Sequence, residues 1–416
     1  MEKTIFYDAV RERLLRYAKI DTQSDPKSAT VPTTAKQFDL ARVLRDELIS
    51  IGASDVYLDE DKCVVYALLP STLSNGGGRP VGFITHMDTA PDAPGANVRP
   101  WVLENYDGGD IVLNEAAGIV MRVADFPNLR NYIGQDLILT DGTTLLGGDD
   151  KAGIAAVMTM AEHYLKHPDL KHGPIALAFT PDEEVGGLAR DLDLNRFGAD
   201  VAYTLDGDWL GYYMDETFNA SFARFEIAGR SVHTGTAKGI MVNASDIAGE
   251  LMAMLPRFEK PQYTEGREGF FHITAIHGVC EHAYVELIVR DHDAAHFAQR
   301  EDYLRVCAAA LQKQYGKDAV SLSITPTYRS MKEVVSRYPF LIENLTAAIR
   351  MAGLAPRSVA FRGGTDGSAL SHRGLPCPNL SAGYENAHGR FEYVPIPSME
   401  KNVEILLHLC GLFAAM

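Results

Sequence analysis

Three apolar runs in this chain each stop on a side chain that can bind a metal, and that pattern narrows the fold more than any other feature. Val81-Gly-Phe-Ile-Thr leads to His86, with Asp88 two residues on; Pro174-Ile-Ala-Leu-Ala-Phe-Thr-Pro leads to Asp182-Glu183-Glu184; Val201-Ala-Tyr-Thr-Leu leads to Asp206. Runs that are continuously apolar suit strands covered on both faces, and open α/β sheets hold their ligands beyond the carboxyl ends of such strands. A divalent metal centre is therefore the first expectation.

The rest of the chain is read around those runs. Helical spacing of apolar residues predicts helices over 7–20 and 35–51, the second closed by Gly52, and short strands over 55–58 and 63–69. Ser74 to Pro80 reads as a glycine turn, and the Pro/Gly/Asn-rich segment after Asp88 as a long functional or mobile connection. Leu145-Leu-Gly-Gly-Asp-Asp-Lys-Ala-Gly153 opens a helix over 154–165. From about Asn219 the pattern alternates, and strand, helix, two strands, helix, strand follow up to 325. That order matches a split-βαβ, ferredoxin-like sandwich with one covered sheet face. A length of 416 residues predicts two domains. The expected α/β architecture is a mixed central sheet with helices on both faces, built from 1–215 and 327–416, with an inserted α+β lid over 216–326. Helix returns over 340–352, followed by a glycine-rich stretch and Pro378 to His388.

Composition removes several function classes. Lys and Arg total 39 against 55 Asp and Glu, with no basic stripe, which argues against nucleic acid as a partner. The five cysteines are scattered and never paired as CxxC, so neither a disulfide framework nor a thiolate site is expected. No apolar run approaches the ~18 residues needed to span a bilayer, and the N-terminus lacks a signal-like core, so a cytoplasmic protein without a membrane partner is expected.

Each candidate also has an ordinary structural role available. Asp88 can cap a loop, or orient a metal-bound His86; Asp182-Glu183-Glu184 can be a solvated turn, or one glutamate can hold metal while its neighbour moves a proton. Asp149 and Asp150 sit where one cap would suffice, Asp206 can cap a turn with Gly207, and His388 alone is ambiguous. His163 and His167 lack the glutamate of HExxH, His272, His277 and His282 follow no period, and Gly363-Gly-Thr-Asp-Gly lacks a phosphate-loop lysine. Taken together, His86, Asp149, Glu184, Asp206 and His388 form an imidazole and carboxylate set suited to zinc, with manganese or cobalt as substitutes. Five are too many for one catalytic site and fit two metals sharing a carboxylate.

Thr85-His-Met-Asp88, Leu146-Gly-Gly-Asp-Asp-Lys-Ala-Gly153, Pro181-Asp-Glu-Glu184, Leu205-Asp-Gly207, Val232-His-Thr-Gly-Thr-Ala-Lys238 and the stretch from Arg362-Gly-Gly-Thr-Asp366 to His388 resemble the di-zinc exopeptidases, and within them the tripeptide aminopeptidases. Relatives of the carboxypeptidase G and aminoacylase type share the metal residues but not the stretches Asn105 to Ile111 and His233 to Asn243. The resemblance implies that Asp149 bridges two Zn2+ ions, that His86 and Asp206 complete one coordination sphere and Glu184 and His388 the other, and that Glu183 is the general base. It also implies a cis peptide after Asp149, a homodimer through the inserted domain, His233 reaching the partner's site to stabilise the oxyanion, and Arg290 on the substrate carboxylate. The implied reaction removes the first residue of a short peptide with a free amino terminus. A dipeptidase, carboxypeptidase or N-acyl amino acid deacylase would use the same centre, and a metal-free peptide-binding scaffold is the non-enzymatic alternative. Thr234 and Asp208-Trp209 depart from the family pattern at positions that bear on specificity.

Overall fold

The structure, a computed structural model, describes residues 3–74, 76–187 and 189–416. Asn75, inside the expected glycine turn, and the first two residues of the N-terminal stretch lie outside them. The chain divides into two compact units, one formed by Met1–Asp215, Glu333–Val359 and Thr365–Met416, the other by Glu216–Lys332 and Ala360–Gly364.

In the first unit the three apolar runs are adjacent parallel strands. Val81–His86 lies between Ile175–Thr180 and Val201–Leu205, with Val81 opposite Ile175 on one side and Val201 on the other. Asn379–Leu380 extends the parallel set beside Val201–Leu205. Four strands thus release their chains at one edge, which is what gathers distant side chains there. Val64–Leu69 and Ser54–Asp59, each antiparallel to its neighbour, extend the sheet at one side, and Tyr212–Thr217, antiparallel to Asn379–Leu380, followed by Arg357–Phe361, extends it at the other, making an eight-stranded mixed sheet.

The sheet is unequal on its two faces. Large side chains (Phe83, Leu177, Phe179, Tyr203) pack into the main core with the helices Tyr7–Tyr17, Gln37–Ile51, Gly148–Lys166, Pro339–Met351 and Ile396–Ala414. Small ones (Ala176, Ala178, Ala202) face a thinner layer made by Leu194–Phe197 and Asp366–His372. Gly82 belongs to that side: a Cβ there would stand 2.3 Å from the Phe197 ring. Helices therefore cover both faces, as the continuous apolar runs predict. The C-terminal helix Ile396–Ala414, absent from the sequence expectation, packs against Gly148–Lys166 and Pro339–Met351.

The expected long connection after Asp88 is also folded. Trp101–Leu103 pairs with Leu137–Leu139, which pairs with Val394–Pro395, and Ile111–Asn114 forms a hairpin with Ile119–Met121. Tyr106, Ile111, Leu113, Met121, Leu129 and Leu137 give this subsidiary layer its own core. Expected boundaries move slightly elsewhere: the first helix ends at Tyr17 rather than 20, and Gly52 takes the left-handed C-cap, φ 91°.

The second unit is an antiparallel four-stranded sheet in the order Phe270–Gly278, His282–Asp291, Asn219–Ala228, Val320–Tyr328. Its first two strands in sequence are separated by the third, the split-βαβ arrangement. Phe225, Ile227, Val285 and Leu287 are buried with Ile247, Leu251, Phe297 and Leu304 of the helices Ala244–Met254 and Ala294–Tyr315, while Glu226, Tyr284, Glu286 and Ser323 alternate outward. The helix expected over 244–258 stops at Met254 because Pro256 restricts Leu255 to an extended conformation.

Candidate metal centre

His86 ends its strand fully buried, and its Nε2 stands 2.9 Å from Asp149 Oδ1. Nδ1 faces the Asp88 carbonyl at 3.1 Å and the Asp88 carboxylate at 3.4 Å, which orients the ring so that Nε2 points into the centre. The other oxygen of Asp149, Oδ2, lies 3.2 Å from His388 Nε2, and the same nitrogen is 2.9 Å from Glu184 Oε2. Asp149 therefore presents one oxygen to each histidine. A ligand atom from each of His86, Asp149 and Glu184 lies within 4.8 Å of the other two. Asp206 completes the group from the end of Val201–Leu205, with Oδ1 accepting the Tyr384 hydroxyl at 2.8 Å.

The backbone around these ligands is held by carboxylates. Asp88, with no solvent exposure, accepts the Glu183 N–H at 2.9 Å and the Glu184 N–H at 3.2 Å, one on each oxygen. Asp182, at φ 62°, accepts the Thr33 N–H at 2.8 Å and the Gln37 side-chain amide at 2.6 Å, tying the turn to the start of helix Gln37–Ile51. Glu392 takes three N–H groups from the Leu146–Asp149 loop, and the peptide after Asp149 is cis. Lys151, buried, donates to the Ile20 carbonyl at 2.8 Å, and burial pushes its ammonium down to about 8.

The charge balance at this edge is strongly negative. Burial and then Asp149 push Glu184 up to about 8, and burial and then Asp206 push Glu183 well above the carboxylate range. Asp206 is raised by burial and by Asp149, and Asp366 is pushed up to about 7 by burial. His388 moves the opposite way, drawn up to about 11 by its bonds to Asp149 and Glu184. Glu184 Oε1 is buried without a partner, as is Asp366 Oδ1. Crowded carboxylates, imidazole nitrogens facing carboxylate oxygens, an orphaned oxygen and no thiol make a donor set that fits divalent cations, whose charge offsets the surplus.

The structure thus gathers His86, Asp149, Glu184, Asp206 and His388 at one sheet edge, with Asp88 and Glu183 adjoining them. His233 and Arg290 lie in the second unit. There the Arg290 guanidinium donates to the Arg362 carbonyl at 3.1 Å and lies over the Phe270 and Tyr328 rings, with its Nε buried and unpartnered. His233 is exposed, its Nδ1 accepting the Gly235 N–H at 3.1 Å. Trp209, held at φ 44°, is exposed against Tyr212. Sequence reasoning gave no role to Tyr384, Asp366 or Glu392, each of which is a lone polar residue until the strands bring it to the centre.

Comparisons with known proteins find peptidases along the whole chain. A family model described as a peptidase dimerisation domain matches residues 216–319. The chain is 46% identical over 402 residues to a peptidase T of Geobacillus kaustophilus, covering 97% of each sequence. Among solved structures it is similar to aminopeptidase PepT from Bacillus cereus, with a TM-score of 0.77, 22% identity and 99% of each chain covered. A dinuclear metal binding peptidase of the M20 family from Bacillus subtilis superposes with a TM-score of 0.66 at 12% identity, over 98% of each chain.

Proposed function

The chain belongs to the peptidase T family and is a peptidase, and on that premise we propose that it is an aminopeptidase that releases the first residue of tripeptides at a centre of two Zn2+ ions. The observation that carries the reading is the division of Asp149, with one carboxylate oxygen toward His86 and the other toward His388 and Glu184. His86, Asp149, Glu184, Asp206 and His388 would hold the cations, with Asp149 shared between them. Bound there, the cations would polarise the scissile carbonyl and lower the pKa of water between them.

The chain's own residues do the rest. Glu183 takes the proton of the attacking water and hands it to the leaving amine, general acid–base work typically worth about 10²–10⁴-fold. Asp88 keeps Glu183 and Glu184 at fixed height through their two N–H groups and keeps His86 Nε2 aimed inward. Arg290 binds the peptide's carboxylate, which limits the length of the substrate. His233, in a homodimer formed through the second unit, reaches the partner's site and steadies the oxyanion. The match to a dimerisation domain supports that assembly. No helix among the described residues is long and apolar enough to cross a membrane, in keeping with a cytoplasmic peptidase.

A panel of di-, tri- and tetrapeptides with free or acetylated amino ends, run beside a metal analysis, tests the proposal. Fastest hydrolysis of the free tripeptide, with two zinc ions per subunit, is the expected result. Preference for acetylated substrates or for dipeptides would replace it with a deacylase or dipeptidase.

A further inference from the structure

Glu392 is 2% exposed, and each of its oxygens is engaged by backbone: Oε2 accepts the N–H of Leu146 and of Gly147 at 2.8 Å, and Oε1 accepts the N–H of Asp149 at 2.9 Å. The loop is shaped for this contact. Gly147 stands at φ 77°, and a Cβ on Gly148 would come 2.5 Å from Val394 Cγ2 and 3.1 Å from Glu392 Oε1, so only glycine lets the two segments close on each other. Glu392 also belongs to the segment that carries His388 and Tyr384. One short stretch therefore touches the centre three times: the Tyr384 hydroxyl on Asp206, the His388 ring on Asp149 and Glu184, and the Glu392 carboxylate on the loop beneath Asp149.

We propose that Glu392 is a positioning residue for the bridging carboxylate: it fixes the backbone of Leu146–Asp149 against the His388 segment and so sets the separation between Asp149 and its facing histidines. A buried carboxylate accepting three N–H groups is a charge-assisted clamp stronger than neutral side chains supply. An amide in its place would turn an NH2 group toward at least one of those donors, leaving that N–H unpaired and displacing the loop.

The inference rests on the metal-centre reading, and the test separates the two. Zinc affinity of the apo protein is measured by chelator competition for wild type, Glu392→Gln and Glu392→Asp, together with the visible spectrum of the Co2+-loaded forms. Glu392→Gln is expected to bind zinc about 10–100-fold more weakly, the range found when a group supporting a metal ligand is removed, with an altered cobalt spectrum. Glu392→Asp, which keeps the charge at shorter reach, is expected to recover part of that affinity. At saturating metal, kcat should fall in Glu392→Gln while KM stays within about twofold, because the residue supports the centre rather than the substrate. Wild-type zinc affinity and an unchanged cobalt spectrum in Glu392→Gln overturn the inference even if thermal stability drops. Should Glu392→Gln fail to fold, unchanged affinity in Glu392→Asp overturns it equally. A wild-type protein that takes up no cation overturns the metal centre itself.

Discussion

Glu183 and Glu184 are neighbours whose proposed tasks differ, and both are held through the backbone. Both N–H groups rest on Asp88, while Asp182 before them takes a left-handed φ and Gly186 after them another, 82°, around the short 3-10 turn Glu183–Val185. Glu184 reaches His388 with its carboxylate, and the proposed role of Glu183 is proton transfer. Glu183→Gln should accordingly keep its full metal complement while kcat falls about 10²–10⁴-fold; measuring both on one preparation checks it, and loss of metal in parallel with activity would make Glu183 a ligand instead. These acids were legible in the sequence because they follow an apolar strand directly. Glu392 and Tyr384 were not, since their meaning lies in backbone N–H groups and a carboxylate far away in the chain.

At the scale of elements, the parallel strands were readable because burial on both faces leaves uninterrupted apolar runs, and the inserted unit because its sheet has one covered face and alternates. What escaped notice has physical reasons too. The strands Trp101–Leu103 and Leu137–Leu139 are three residues long, too short for a period to register. The C-terminal helix Ile396–Ala414 buries residues almost all the way round, including Ser398, Glu400 and Asn402, so its polar and apolar positions do not segregate into faces. Because it fills the space between Gly148–Lys166 and Pro339–Met351, Leu406→Ala should cost about 2–5 kcal/mol in urea unfolding. A loss under ~1 kcal/mol would mean that the helix is peripheral to the core.

At the scale of the whole molecule, the acidic edge makes folding and metal binding one equilibrium. Carboxylates held together by the fold repel one another until cations arrive, so chelation should lower stability as well as activity. For each cation held at a hundred times its dissociation constant the loss is about 2.7 kcal/mol. Urea unfolding with and without chelator reads it, and equal midpoints would show that the centre is preorganised without help from metal. The donors enter the chain between residues 86 and 388, and they meet only when Asn379–Leu380 has joined the sheet and the segment behind it has closed over the Leu146–Asp149 loop. A growing polypeptide therefore cannot assemble the full donor set before the His388 segment has been made and has folded back onto Asp149 and Glu184.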